Sequence, residues 1–255
     1  MYEINQENMS QDNLPQDYLP QDSFSPDNVP PKPQLNWVDL TFTLAGIAFI
    51  SALLIGATFL VIKAWSQAKW ILYGNALATQ LSFGVLLLSL KFIRGWEWAD
   101  FGWRTTGGKK FLANVIGLYF LALLINFCYA IFVFQHGAAL PDTDVYIKML
   151  ENTTWHSLLT ILLLACVMAP LIEETIFRGI IFGSLQTYFG KWTSAALSSA
   201  VFAGLHFQAY GFFPRFVLGM FLVYLYDKYK SLYPAVALHT VNNAAATLLA
   251  VNLQM

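Results

Sequence analysis

The sequence predicts an all-α, polytopic membrane bundle of about seven transmembrane helices, within a range of six to eight, with polar groups gathered in an intramembrane cavity. The first observation behind this is composition: of 255 residues, 57% are hydrophobic and only 11% charged, with mean hydropathy +0.53, whereas a soluble domain carries about 25% charged residues. The second is the spacing of uncharged runs. Those at 40–62, 70–90, 111–135, 152–172, 192–214 and 231–255 each reach the roughly 20 residues that span a hydrocarbon core as a helix. A shorter run, 216–226, completes a seventh span if Arg215 and Asp227 snorkel to the interfaces. The third is an exception to the apolar rule. Glu173, Glu174 and Arg178 lie within CVMAPLIEETIFRGIIFGSL, and a charge kept at membrane depth costs several kcal/mol, which marks a functional position.

The chain divides into a tail, residues 1–36, and a helical membrane domain, 37–255. Six of the 15 acidic residues but only one basic residue fall in the tail, so it is acidic and the membrane part basic. Within it QDNLP, QDYLP and QDSFS repeat with a period of five between Gln11 and Ser25. With Pro so frequent and little to bury, this segment reads as a disordered or polyproline-like extension, mainly solvated, with docking of a partner protein as the alternative. Nothing in it suggests nucleic-acid binding. The first apolar run starts too late and is too long for a cleaved signal peptide, so it serves as the insertion signal. Cys128 and Cys166 lie in apolar spans, which argues against a disulfide framework.

The segment LKFIRGWEWADFGWRTTGGKKF, after the second run, holds five basic residues and several Trp, as expected of an interfacial loop with an aromatic belt. If the helices alternate, it shares a side with the amino terminus, Lys191, Lys228 and Lys230. That side carries 9 Lys and Arg against 4 on the other, leaving Arg178 inside the membrane. The positive-inside rule then puts the amino terminus in the cytoplasm and the loop from His136 to Trp155 on the other side. The plasma membrane is the default location, with an internal membrane as the alternative. The fourth run extends from Trp155 to Phe189, longer than one straight span needs, and Pro170 is placed to kink it just before the glutamates.

Neighbouring helix positions differ by about 100°, so Glu173 and Glu174 face different directions and do different jobs. Glu174 and Arg178 are spaced i,i+4 with the acid first, the better order for an intrahelical ion pair. Glu173 shares a face with Phe177 and lacks a local counter-ion, which suits a general base. Downstream, Phe202 and His206 are again i,i+4, in a stretch where Ala195, Ser198, Ser199, Ala203 and Gly204 permit close helix approach. In the last run His239 and Asn243 share a face. Three helices can thus bring two carboxylates, two imidazoles and an amide to one cavity, enough to activate a water and stabilise an oxyanion. Taken singly, each has a plainer reading: an intramembrane His or Asn commonly only bonds a neighbouring helix, and a Glu with Arg four residues on is often a structural pair. Their joint occurrence favours chemistry. His136 and His156 receive no role.

In this order, Glu173-Glu174-Thr175-Ile176-Phe177-Arg178, Phe202-x-x-x-His206 and His239-x-x-x-Asn243 resemble the three motifs of the CAAX prenyl protease and bacteriocin-processing family, the CPBP or Abi group of intramembrane proteases. The resemblance covers a core at about 155–250, and DFGWR at 100–104 is similar to a preceding family feature. It implies an all-helical membrane fold and a glutamate-dependent endopeptidase whose catalytic groups open to a cavity inside the membrane. By that resemblance Glu173 activates the attacking water and His206 orients it. Glu174 supports the site through Arg178, with Phe177 and Phe202 packed around it, and His239 and Asn243 stabilise the oxyanion. It implies no cofactor, and a peptide or protein substrate that enters from the bilayer, either lipidated or not. The acidic tail is no part of the pattern. Two rivals stand beside it: a zinc hydrolase using Glu173, His206 and His239 as ligands, against which the chain has no HExxH pair, and a non-catalytic membrane scaffold whose polar groups lock helices together. Prenylated carboxyl termini, leader peptides and membrane-protein segments all fit as substrates.

Overall fold

The computed structural model describes residues 34–64, 68–106, 108–136 and 154–252, the side chains of 61–72 excepted. The repeat-bearing tail up to residue 33 and most of the loop from His136 to Trp155 lie outside the described residues. Among them are seven helices: α1 (Trp37–Ala64), α2 (Ala68–Arg94), α3 (Phe111–Gln135), α4 (Trp155–Gln186), α5 (Lys191–Gly204), α6 (Ala209–Tyr229) and α7 (Tyr233–Asn252). Six of them, all but α5, are long and apolar enough to cross a membrane. The chain is a multi-pass integral membrane protein.

Helix α4 is the axis of the bundle. Ile176, Arg178, Ile180, Ile181 and Phe182 are each 0% exposed, and a helix buried all round belongs at the centre of its bundle. On one side Ile176, Phe177 and Ile181 pack with Leu40 and Ile47 of α1, Phe83 and Leu86 of α2 and Phe202 of α5. A second core joins Val115 of α3, Leu218, Leu222 and Leu225 of α6, and Ala235 and Leu238 of α7. The outward faces stay apolar, as with Phe120, Phe127 and Phe134 of α3, seven residues apart and all exposed. In a bilayer such a stripe meets lipid.

The run 192–214, expected as one span, is two elements. Helix α5 has 14 residues, about 21 Å at 1.5 Å per residue, too short for a core of roughly 30 Å. It ends at Gly204, and Phe207 turns the chain with φ at 52°, a left-handed conformation that is strained for a bulky residue. Helix α6 then absorbs the rest of that run together with 216–226. The hairpin returns to its starting side, because Lys191 and Lys230 both pair with Asp227. Small residues make the approach close: Ala195, Ser198, Ser199 and Ala203 are buried, and a Cβ on Gly219 would stand 2.8 Å from that of Ser199. Gly204, expected in the same contact, is exposed and ends the helix instead.

Long-range bonds gather the polar ends. Arg94 pairs with Asp39 at 2.8 Å, the Trp37 amide donates to the Tyr188 hydroxyl, the Ser231 hydroxyl to Arg104 O and the Leu232 amide to Gly102 O. The start of α1, the α2–α3 loop and the α4–α5 and α6–α7 turns therefore share one end of the bundle, the grouping that the charge pattern predicts. The α2–α3 loop is more than an interfacial belt, however. Trp96 and Phe101 are buried against Leu87, Leu90 and Ile180, and Trp103 Nε1 donates to Thr175 Oγ1 at 3.1 Å. DFGWR is thus a clamp on α4. Phe101 O lies 2.6 Å from where a Cβ on Gly179 would be, whereas Gly117 on α3 has nothing within 4 Å. We expect Gly179→Ala to cost about 1–3 kcal/mol, the usual penalty of overpacking, and Gly117→Ala to be neutral, as read from thermal unfolding of the purified protein in detergent.

Candidate active site

Helix α4 carries the acidic pair between two π-helical stretches, Leu162–Met168 and Thr175–Phe182. Pro170 accounts for the first. A proline lacks the N–H that would bond the carbonyl four residues back, and here the Ala169 amide reaches Leu164 O instead of Ala165 O. The carbonyls of Ala165 and Cys166 are thereby released. Both are taken up by α7: Asn243 Nδ2 donates to Ala165 O at 2.8 Å and Thr240 Oγ1 to Cys166 O at 2.8 Å. A buried carbonyl left unmet would cost about 1–3 kcal/mol. The proline therefore fixes α7 against α4 at the level of the glutamates instead of simply bending the helix.

Glu174 is 0% exposed. Its Oε1 accepts from Arg178 Nη1 at 3.0 Å and from His239 Nδ1 at 2.7 Å. Arg178, equally buried, also donates from Nη2 to Gly219 O at 3.3 Å and lies 4.7 Å over the Phe202 ring. The Phe202 ring also meets those of Phe177, His206 and His239 edge-on. The predicted i,i+4 pair is present, and the last helix joins it as a third member.

Glu173 has a different environment. It is 15% exposed and faces two cavities, with His239 Nε2 at 3.9 Å from its Oε2. A cavity of about 270 Å³ is lined by residues of α1 and α2 together with Glu173, Phe177, Phe202, His206 and Phe207. A larger one of about 710 Å³ adds Gln80, Asn126, Arg215, His239, Asn242 and Asn243. Glu173, Phe202 and His206 are common to both. His206 Nδ1 lies 2.8 Å from Phe202 O; a carbonyl can only accept, so the proton is on Nδ1 and Nε2 of the neutral ring is left as an acceptor.

All eight residues singled out in the sequence converge here. Glu173, Phe202, His206, His239 and Asn243 line the larger cavity, Phe177 lines the smaller one, and Glu174 and Arg178 sit behind. Sequence reasoning missed Gln80, which lines the larger cavity together with Glu173, and Thr240; Gln80 interrupts an otherwise apolar run and Thr240 follows His239, but neither has a motif. It also misplaced Arg215, which was expected to snorkel to an interface and instead lines the larger cavity. As to the zinc reading, no group of three or more His, Cys, Asp or Glu able to hold a metal occurs among the described residues.

Residues 155–245 match the Rce1-like family model, type II CAAX prenyl endopeptidase Rce1-like. The match falls on the helices that carry the three motifs, and its range includes Glu173, Glu174, His206, His239 and Asn243. The recognition made from those motifs stands, and the Rce1-like stretch supports a CAAX-type membrane protease and a peptide hydrolase. Neither a curated protein nor a solved structure matches the chain.

Removing one member of a buried ion pair strands the other's charge, at about 3–5 kcal/mol. Arg178→Met should therefore destabilise more than the double variant Glu174→Gln/Arg178→Met, as measured by unfolding in detergent with all four members of the cycle.

Proposed function

We propose that the chain is an intramembrane endopeptidase in which Glu173 activates water, without a metal, to hydrolyse a peptide bond in a membrane-associated substrate. The observation that carries this reading is the division of labour between adjacent carboxylates: Glu174 is bonded and fully buried, while Glu173 faces the cavities that it shares with His206, whose Nε2 is an acceptor. Glu173 removes a proton from a water held by His206 Nε2, and the water oxygen attacks the peptide carbonyl. The carbonyl oxygen becomes an oxyanion that accepts from His239 Nε2–H and from the second hydrogen of Asn243 Nδ2. His239 donates from both nitrogens in this step, with Nδ1 directed to the Glu174 carboxylate. Collapse breaks the C–N bond, the amine leaves with the proton that Glu173 had taken, and the carboxylic acid that remains passes its own proton to the amine, giving a carboxylate and an ammonium. A reacting atom about 3 Å from both Glu173 and the His239 donor satisfies the geometric requirement.

The substrate enters laterally from the bilayer, as a prenylated, leader-peptide or other membrane-associated segment. The amino terminus is cytoplasmic, on the evidence of basic residues gathered at one end of the bundle, and the plasma membrane is the default location.

Protein termini in host membranes holding wild type or Glu173→Gln at equal abundance, mapped by mass spectrometry, test the reading. Ends that vanish with the variant are expected, with a rate loss of about 10²–10⁴ for removal of a general base, and cleavage should survive exhaustive chelation. Identical termini would leave a scaffold. A separate comparison distinguishes chemistry from clamping: Asn243→Ala should lower kcat by about 10²–10³, as loss of an oxyanion donor does, whereas Thr240→Val, which frees only Cys166 O, should lower thermal stability and leave kcat near wild type.

A further inference from the structure

Away from the cavities, three lysines meet at the corner where the α2–α3 loop touches the end of α6. Tyr229 is the centre of this corner. Its ring meets that of Phe111 edge-on and its hydroxyl accepts from Asn114 Nδ2, both on the first turn of α3. Lys228 lies 5.7 Å over the same ring and donates from Nζ to the Tyr224 hydroxyl at 3.2 Å. Lys109 and Lys110 immediately precede Phe111, and all three lysines are exposed. No carboxylate answers them. Asp227, next to Lys228 in sequence, is taken by Lys191 and Lys230, Asp39 is taken by Arg94, and the first turn of α3 has no acid. Among the described residues, none of the three lysines has an ion-pair partner. The positive-inside rule accounts for the number of basic residues at this end, but not for three of them gathered without a counter-ion. Like charges so placed repel one another, and an anion seated among them relieves that. Below the corner, Leu112, Ile116, Phe120 and Leu123 share one exposed face of α3. From Leu112 to Leu123 that face runs about 16 Å at 1.5 Å per residue, about half of the roughly 30 Å hydrocarbon core, which is the depth of one leaflet.

We propose that Lys109, Lys110 and Lys228 form a binding site for an anionic phospholipid, whose phosphate sits among the three ammonium groups while an acyl chain lies along the exposed face of α3. Lysine binds phosphate as a point charge, so three of them suit a headgroup that keeps a net negative charge and gain little from a zwitterionic one. Basic pockets between transmembrane helices at the cytoplasmic side bind anionic headgroups in this way, and the orientation proposed above puts this corner on that side. The tyrosines serve the site by holding Lys228 against α3. A lipid there would bridge α3 and α6, whose ends otherwise meet at this corner through Tyr229. Neither the site nor its test involves Glu173, so it stands whether or not the chain is a protease.

The test is native mass spectrometry of the full-length protein in neutral detergent, titrated in separate runs with phosphatidylglycerol and with phosphatidylcholine of the same acyl chains. The first phosphatidylglycerol should bind at least about fivefold more tightly, the effect of a single lysine near an anionic lipid. The triple variant Lys109→Gln/Lys110→Gln/Lys228→Gln should bring that ratio to about one. Lys191→Gln/Lys230→Gln, which removes two charges from the other side of α6, should leave it near the wild-type value. Soluble glycerol phosphate should compete poorly, because it lacks the chain that α3 receives. Four results would overturn the proposal: a wild-type ratio near one; an unchanged ratio in a triple variant that unfolds at the wild-type temperature; an equal loss in the Lys191 and Lys230 variant, which would mean net charge and not a site; or full competition by glycerol phosphate, which would mean a site for free anions.

Discussion

The site depends on one buried carboxylate oxygen. Glu174 Oε1 holds both Arg178 and His239, and neither partner is at a surface where water could substitute for it. A single buried ion pair is a poor source of stability, because desolvating two charges cancels most of their attraction. What it does supply is uniqueness. With the guanidinium also bonded to Gly219 O on α6 and the imidazole borne by α7, these three bonds together tie α4, α6 and α7 into one arrangement. The same arrangement orients the imidazole, so that its second nitrogen stands beside Glu173. Structural and chemical demands therefore fall on the same atom.

Pro170 applies a comparable constraint through the backbone. By withholding an N–H it releases carbonyls that an apolar environment cannot solvate, and α7 answers with Thr240 and Asn243. Of these two, Asn243 also lines the larger cavity. An amide nitrogen has two hydrogens, so one can secure the helix while the other remains for a ligand. The defect in α4 is thus what positions a donor beside the glutamates. The left-handed Phe207 does comparable work at the end of α5, turning the chain immediately after His206. Strain of this kind persists where the surroundings over-determine it, commonly at functional sites.

Much of this was legible in the sequence because the medium simplifies the problem. In lipid the backbone must satisfy itself, so apolar runs become helices with little ambiguity, and ionisable residues inside them are conspicuous. The Glu174–Arg178 pair followed from spacing alone. What stayed hidden was whatever depends on three dimensions. The break between α5 and α6 falls within an uncharged run, where hydropathy is continuous and a bulky Phe takes the turn. Arg215 sits between two apolar stretches, which reads as an interface in one dimension, yet the half-length α5 places it in the cavity. Gln80 comes from a helix outside the motif core and joins Glu173 in the lining of the larger cavity only through packing.

The shortness of α5 turns a bundle into an enzyme-like chamber. Had the run 192–214 continued as a full helix, α5 and α6 would fill the volume next to α4 with apolar side chains, and His206 would be one more buried contact. Ending at Gly204 leaves the far half of the membrane beside α4 open on that side, and the polar face of α6 from Gln208 to Arg215 lines what is left. Glu173, Phe202 and His206 then stand at the junction of an apolar space toward α1 and α2 and a polar one toward α6 and α7. A chain lying across that junction meets chemically different walls on its two sides. Direction of binding, and with it the bond presented to Glu173, can therefore be set by polarity alone.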